Sequence, residues 1–209
     1  MQNNFMLNLR DLKQKGVDLN KLIQTNHIRI LILVIYLIGL WLGTMLFTKY
    51  SSVSNIVKNG IDYLINSEYL KTFTILISSN IGTIAAIFFS GFSACGLITS
   101  VGLPCIYGII CALINCCIYS SYKVNGIFFA LIVIIPFAVI TSLLITALSD
   151  NSINLTKKLV KAVAFGEPSK RGEAKTYIFF GLIIIAIECV FILLQAFLIT
   201  KTGKMILNL

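Results

Sequence analysis

From Thr72 to Tyr122 the chain carries no charged residue. That run is more than twice the roughly 20 apolar residues that one bilayer crossing needs. It predicts two crossings joined by a tight turn, with Gly91, Ser93 and Gly96 supplying the flexible backbone. Ile30 to Thr48 and Val124 to Ser149 are also free of charge, and Thr176 to Thr200 is broken only by Glu188. The expected fold is therefore an all-α integral membrane protein. It is a bundle of five transmembrane helices, at about 28–47, 70–91, 96–121, 125–148 and 176–200, with short amphipathic interfacial helices. Composition agrees: 57% of residues are hydrophobic and 12% charged, and mean hydropathy is +0.92. Soluble domains carry about 25% charge. One membrane domain over 28–202, preceded by an amphipathic segment at 1–27, fills the length, so no separate soluble domain is expected. The first apolar run starts late, spans a full crossing and lacks a small-residue cleavage pattern, so an uncleaved first span is expected.

The net charge is +9, but no long basic, aromatic-interleaved stretch exists, so a nucleic-acid partner is not expected. The charges sort by side instead. Arg10, Lys13, Lys15, Lys21 and Arg29 precede the first span, and Lys157, Lys158, Lys161, Lys170, Arg171 and Lys175 lie in the basic loop 150–175. The opposite side holds only Lys49, Lys58, Lys71, Lys123, Lys201 and Lys204. Basic residues accumulate on the cytoplasmic side, where the bilayer surface is anionic. The N-terminus is thus expected inside, with the C-terminus and the loop 49–70 outside.

Three segments outside the spans are amphipathic. Residues 5–24 place Met6, Leu9 and Leu12 beside Arg10 and Lys13, and residues 155–165 place Leu155, Leu159 and Val163 opposite Lys157, Lys158 and Lys161. Both suit helices lying on an anionic leaflet. On the outer side, Ile56, Val57, Ile61, Leu64 and Ile65 recur at helical spacing around Gly60. That face either rests on the lipid surface or docks an extracytoplasmic partner.

No residue set points to catalysis, a cofactor or a metal. Cys95, Cys105, Cys111, Cys116, Cys117 and Cys189 fall within or at the edges of spans and form no C-x-x-C pair, and the single histidine, His27, lies outside the spans. Buried cysteine packs as a small apolar residue. An intramembrane serine protease needs a basic partner for its nucleophile, and no span holds a histidine. The H-E-x-x-H pattern of a metalloprotease is absent. Coupled transporters place several ionisable groups at depth, whereas here Glu188 stands alone.

Glu188 is nevertheless the leading functional candidate, because a carboxylate at mid-bilayer costs a few kcal/mol. Gln195 lies two turns further along the same face, and Asn80 and Asn115 are polar groups at depth in spans two and three. Such groups bond other helices, contact partners or line a path. The pairs Gly82/Ala86 and Gly108/Ala112 have the spacing that lets helix backbones approach closely in lipid. Gly102 with Pro104, and Pro136, are expected to kink spans three and four.

These landmarks resemble the stage II sporulation protein M family of bacterial membrane proteins. The likeness covers about residues 28–202 and rests on five spans in this orientation, Asn80, Gly91, Gly96, Gly102-Leu103-Pro104 with Gly108, Ile134-Ile135-Pro136-Phe137, a basic inner loop and a final span. Where that span ends, the family often has an acidic residue, Ala, an aromatic, then Thr/Ser-Pro. This chain reads Gln195-Ala196-Phe197-Leu198-Ile199-Thr200, with glutamine in the acid's place and no proline. Phe137 to Thr141 lacks the His and Glu of many broader members, which leaves the sporulation-type branch as the closer likeness. The resemblance implies a non-enzymatic membrane scaffold at the septal membrane during forespore engulfment. Its implied partners are peptidoglycan hydrolases: a lytic transglycosylase and an amidase–endopeptidase. A small channel or permease-type transport subunit is the alternative that the same spans allow.

Overall fold

The structure is a computed structural model that describes residues 27–93, 95–165 and 171–207. The amphipathic segment expected at 5–24, and Lys170, lie outside the described residues. Every described element is helical: α1 His27–Lys49, α2 Ser51–Asn66, α3 Tyr69–Ser90, α4 Gly96–Phe129, a π turn Ala130–Ile134, α5 Ile135–Phe165 and α6 Arg171–Leu207. Four stretches are long and apolar enough to cross a membrane: His27–Lys49, Tyr69–Ser90, Gly96–Val163 and Ala174–Gly203. In none of their most apolar windows is more than 28% of the residues buried. Trp41, Leu37, Phe128 and Phe179 all point outward. An apolar exterior of this extent calls for lipid as solvent.

The third stretch has 68 residues and would reach about 100 Å if straight. It is not straight. Lys123 has φ 48° and ψ −124°, and no other described non-glycine residue has positive φ. Beyond it the chain doubles back, so that a Cβ on Gly126 would strike the carbonyl of Ile118. Further along, Ser100 of α4 donates to Ser152 of α5 at 2.8 Å. The residues before and after Lys123 are thus two antiparallel arms.

The two expected kink sites differ in their backbone. The backbone stays helical through Gly102 and Pro104, and Lys123 alone in α4 leaves helical φ/ψ. Pro136 follows the π turn, in which the Ile135 amide donates to the Ala130 carbonyl. Proline removes a donor and crowds the carbonyl one turn back, and the wider π turn absorbs that locally.

Two other boundaries move. The loop expected at 150–175 is helical to Phe165, because Leu155 and Leu159 keep packing on the bundle while Lys157, Lys158 and Lys161 face out. Val163, placed on the apolar face, is 89% exposed. The outer loop expected at 49–70 is largely α2.

Close approach of α1 and α4 rests on glycines. A Cβ on Gly39 would strike the Cys105 carbonyl, one on Gly43 would lie 2.6 Å from the Ile109 oxygen, and one on Gly108 would strike the Tyr36 carbonyl. Gly39 and Gly43 are one turn apart, the small-residue spacing that serves helix contacts in lipid. Gly82, the other expected contact, has open space around it. At the α3–α4 turn, Gly91 has ordinary right-handed helical φ/ψ. What requires glycine there is space, since a side chain would strike Tyr177 and Ser152.

Candidate functional site

Glu188 sits near the middle of α6 and is fully buried. Its Oε1 accepts from Asn80 Nδ2 of α3 at 3.2 Å and from Thr141 Oγ1 of α5 at 2.8 Å. Three helices are therefore joined at one oxygen. Tyr107 of α4 lies beside Thr141 and within electrostatic reach of Glu188, and it stacks on Tyr36 of α1 at 6.3 Å between ring centres. Elements from across the bundle thus converge on this level. Glu188 Oε2 is buried without a hydrogen-bond partner among the described residues. A buried polar atom left unmatched typically costs about 1–3 kcal/mol.

The other polar candidates do not join this centre. Asn115 donates to the Cys111 carbonyl of its own helix at 2.8 Å, and its Oδ1 is buried without a partner among the described residues. Gln195 is half-buried in the wall of a separate apolar cavity of about 350 Å³, shared with Ile61, Ile65, Ile118, Phe129 and Ile199. It makes no hydrogen bond among the described residues.

Helix α2 packs into the bundle. Ile61 and Ile65 are buried against Cys117, Ile118, Phe129, Val133 and Ile199 of the same chain, and Val57 packs beside them. Leu64 is half-buried, its carbonyl accepting from Thr72 Oγ1 at 3.1 Å, while Ile56 is 72% exposed. Tyr122 donates to Asp62 and ties the helix to the end of α4. The Ile61 and Ile65 part of the face expected to rest on lipid or to dock a partner is covered by the bundle, because the hairpin at Lys123 leaves an apolar notch that α2 fills. Gly203 of α6 makes room, at 3.3 Å from Ile65 to its would-be Cβ.

A second polar group escaped the sequence reading. The last carbonyls of a helix lack intrahelical donors, and those of α3 are met by side chains from two other helices. Tyr177 Oη donates to the Phe88 carbonyl at 3.0 Å, Thr156 to Gly91 at 3.1 Å and Ser152 to Ile87 at 3.4 Å. The Tyr177 ring stacks on Phe88 at 5.3 Å. Thr141, Ser142, Thr146, Ser149, Ser152 and Thr156 form a buried hydroxyl stripe along α5. Their roughly helical spacing was visible, but hydroxyls within an apolar run carry little weight beside a carboxylate.

Among the described residues, no group of three or more His, Cys, Asp or Glu side chains could hold a metal ion. Comparison with family models, with curated proteins and with solved structures finds no match to this chain.

Proposed function

We propose that this protein is a five-span membrane scaffold, with its N-terminus in the cytoplasm and its C-terminus outside. Its task is to hold peptidoglycan hydrolases at the septal membrane during engulfment. One observation carries the scaffold part: the Glu188 carboxylate is sealed from solvent and spent on joining α3, α5 and α6. A group that moved a solute or proton would need access to water in at least one state, whereas a group that fixes helix packing does not. The five-span count rests on the reversal at Lys123, since each arm beside it is long enough to cross. The hydrolase partners rest on the family resemblance alone, through Asn80, Gly102, Pro104 and Pro136. The test is affinity purification from sporulating cells. Recovery of a lytic transglycosylase or an amidase–endopeptidase supports the reading, and their absence from a stable, abundant preparation ends it.

The hydroxyl stripe on α5 favours a second reading, a small transport subunit. Ser149 Oγ and Glu188 Oε2 are buried without partners among the described residues, as atoms beside an ordered water would be. Most of the stripe is already committed, however. Ser142 and Thr146 bond carbonyls of their own helix, and Ser152 and Thr156 those at the end of α3. Solute flux in reconstituted vesicles that Glu188→Gln abolishes would select transport over scaffolding.

A further inference from the structure

The end of the bundle that carries the starts of α1 and α6 also holds a cavity of about 390 Å³. Arg29, Lys158, Asn151, Asn154 and Thr176 line it together with Leu155, Tyr177 and Phe180. Arg29 pairs through Nε with Asp150 Oδ2 at 2.7 Å. That bond orients the guanidinium and leaves its two terminal nitrogens without a hydrogen bond among the described residues. The Arg29 side chain remains 51% exposed, while Asp150 is 12% exposed beneath it. A fork of donors held from behind by a buried carboxylate suits the two free oxygens of a phosphodiester.

We infer that this cavity binds the headgroup of an anionic phospholipid. The surroundings favour a lipid over a soluble phosphate. Ile30 and Leu31 follow Arg29 on α1, and Ile178 and Phe179 follow Tyr177 on α6, and all four are exposed apolar side chains. A headgroup seated between Arg29 and Lys158 would lay its acyl chains along that surface. The depth also fits, because Arg29 and Thr176 border the charge-free stretches of the first and last helices. Basic pockets between membrane helices are where such headgroups are commonly held. The site would join α1, α5 and α6 at their ends, and it does not depend on the scaffold reading.

The test uses the full chain, purified in detergent and mixed with micelles of phosphatidylglycerol or phosphatidylcholine, with bound lipid counted by native mass spectrometry. The wild type is expected to retain phosphatidylglycerol well above phosphatidylcholine. Lys158→Gln should lower that retention about fivefold, the usual worth of one basic side chain at an anionic membrane surface. Lys49→Gln, at the far end of α1, should leave it unchanged. The joint change Arg29→Gln with Asp150→Asn removes the fork without stranding a buried charge, and it should lower retention even if Lys158→Gln proves poorly folded. Equal retention of the two lipids, or equal effects of Lys158→Gln and Lys49→Gln, would overturn the inference. So would displacement of phosphatidylglycerol by millimolar inorganic phosphate, which would assign the cavity to a soluble phosphate.

Discussion

Thr141 Oγ1 donates to Glu188 Oε1 at 2.8 Å, across the interface of α5 and α6 and with both side chains almost fully buried. Because Asn80 shares that acceptor, removing the carboxylate strands two donors. Glu188→Gln keeps an oxygen for both and is expected to hold its thermal stability. Glu188→Leu should lose about 1–3 kcal/mol, or less to the extent that Thr141 rebinds its own helix. Melting of the detergent-solubilised protein checks this. Equal stability of the two variants would show that the clasp contributes nothing.

The α1–α4 contact has no room for a side chain at Gly43, where a Cβ would lie 2.6 Å from the Ile109 oxygen and 2.7 Å from Ala112 Cβ. Gly43→Val should cost about 1–3 kcal/mol through overpacking. Gly82 faces open space, so Gly82→Ala should be neutral, or gain up to about 1 kcal/mol from helix propensity. The two variants, measured side by side, should shift the melting temperature in different directions or by clearly different amounts.

Lys123, with φ 48° and ψ −124°, has the conformation of the second residue of a type II′ turn, which glycine favours. A non-glycine residue there costs about 1–3 kcal/mol of backbone strain, and part of the gain from glycine is lost to the freer unfolded chain. Lys123→Gly should therefore stabilise by about 1 kcal/mol, or about 2–4 °C in melting temperature. Lys123→Val should destabilise. A drop for glycine would show that the hairpin does not reverse at this residue.

Ile61 is 6% and Ile56 72% exposed on the same helix. Ile61→Asp places a charge in the notch that α2 fills, which costs several kcal/mol unless the helix leaves. Limited proteolysis should then cut within 51–66. Ile56→Asp should leave the protease pattern and the abundance in membranes unchanged. If Ile56→Asp also releases a co-purifying hydrolase, the outward face of α2 is the docking surface.

Topology is checked with a reporter active only outside the cytoplasm. Fusions near Asn59 and after Leu209 should be active, and one near Ser169 should not. Activity at Ser169 would remove the five-span arrangement with an internal N-terminus.

Charge spacing along the chain made the apolar stretches legible, because a bilayer excludes charge wherever it occurs in the sequence. The same rule singled out Glu188 and Asn80. It missed Thr141, Tyr177, Ser152 and Thr156, whose hydroxyls are cheap enough to sit anywhere in a span and gain meaning only from the carbonyl or carboxylate across from them. It also misread α2. The i, i+4 face of Ile61 and Ile65 was visible, but periodicity states only that a face must be covered, and the covering surface came from Cys117, Phe129 and Ile199 of the same chain. Gly39 with Gly43, Gly82 with Ala86 and Gly108 with Ala112 share one spacing, yet Gly82 faces open space while the other two pairs meet each other, since spacing does not say which small-residue face meets another helix. The sequence by itself determined which stretches are apolar and helical, because hydrogen bonding and lipid solvation act locally on each segment. Only the tertiary structure decided which faces meet, where the long helix reverses and what Glu188 holds together, because those depend on atoms brought within a few ångströms from distant positions in the chain, as in the Arg29–Asp150 pair, 121 residues apart.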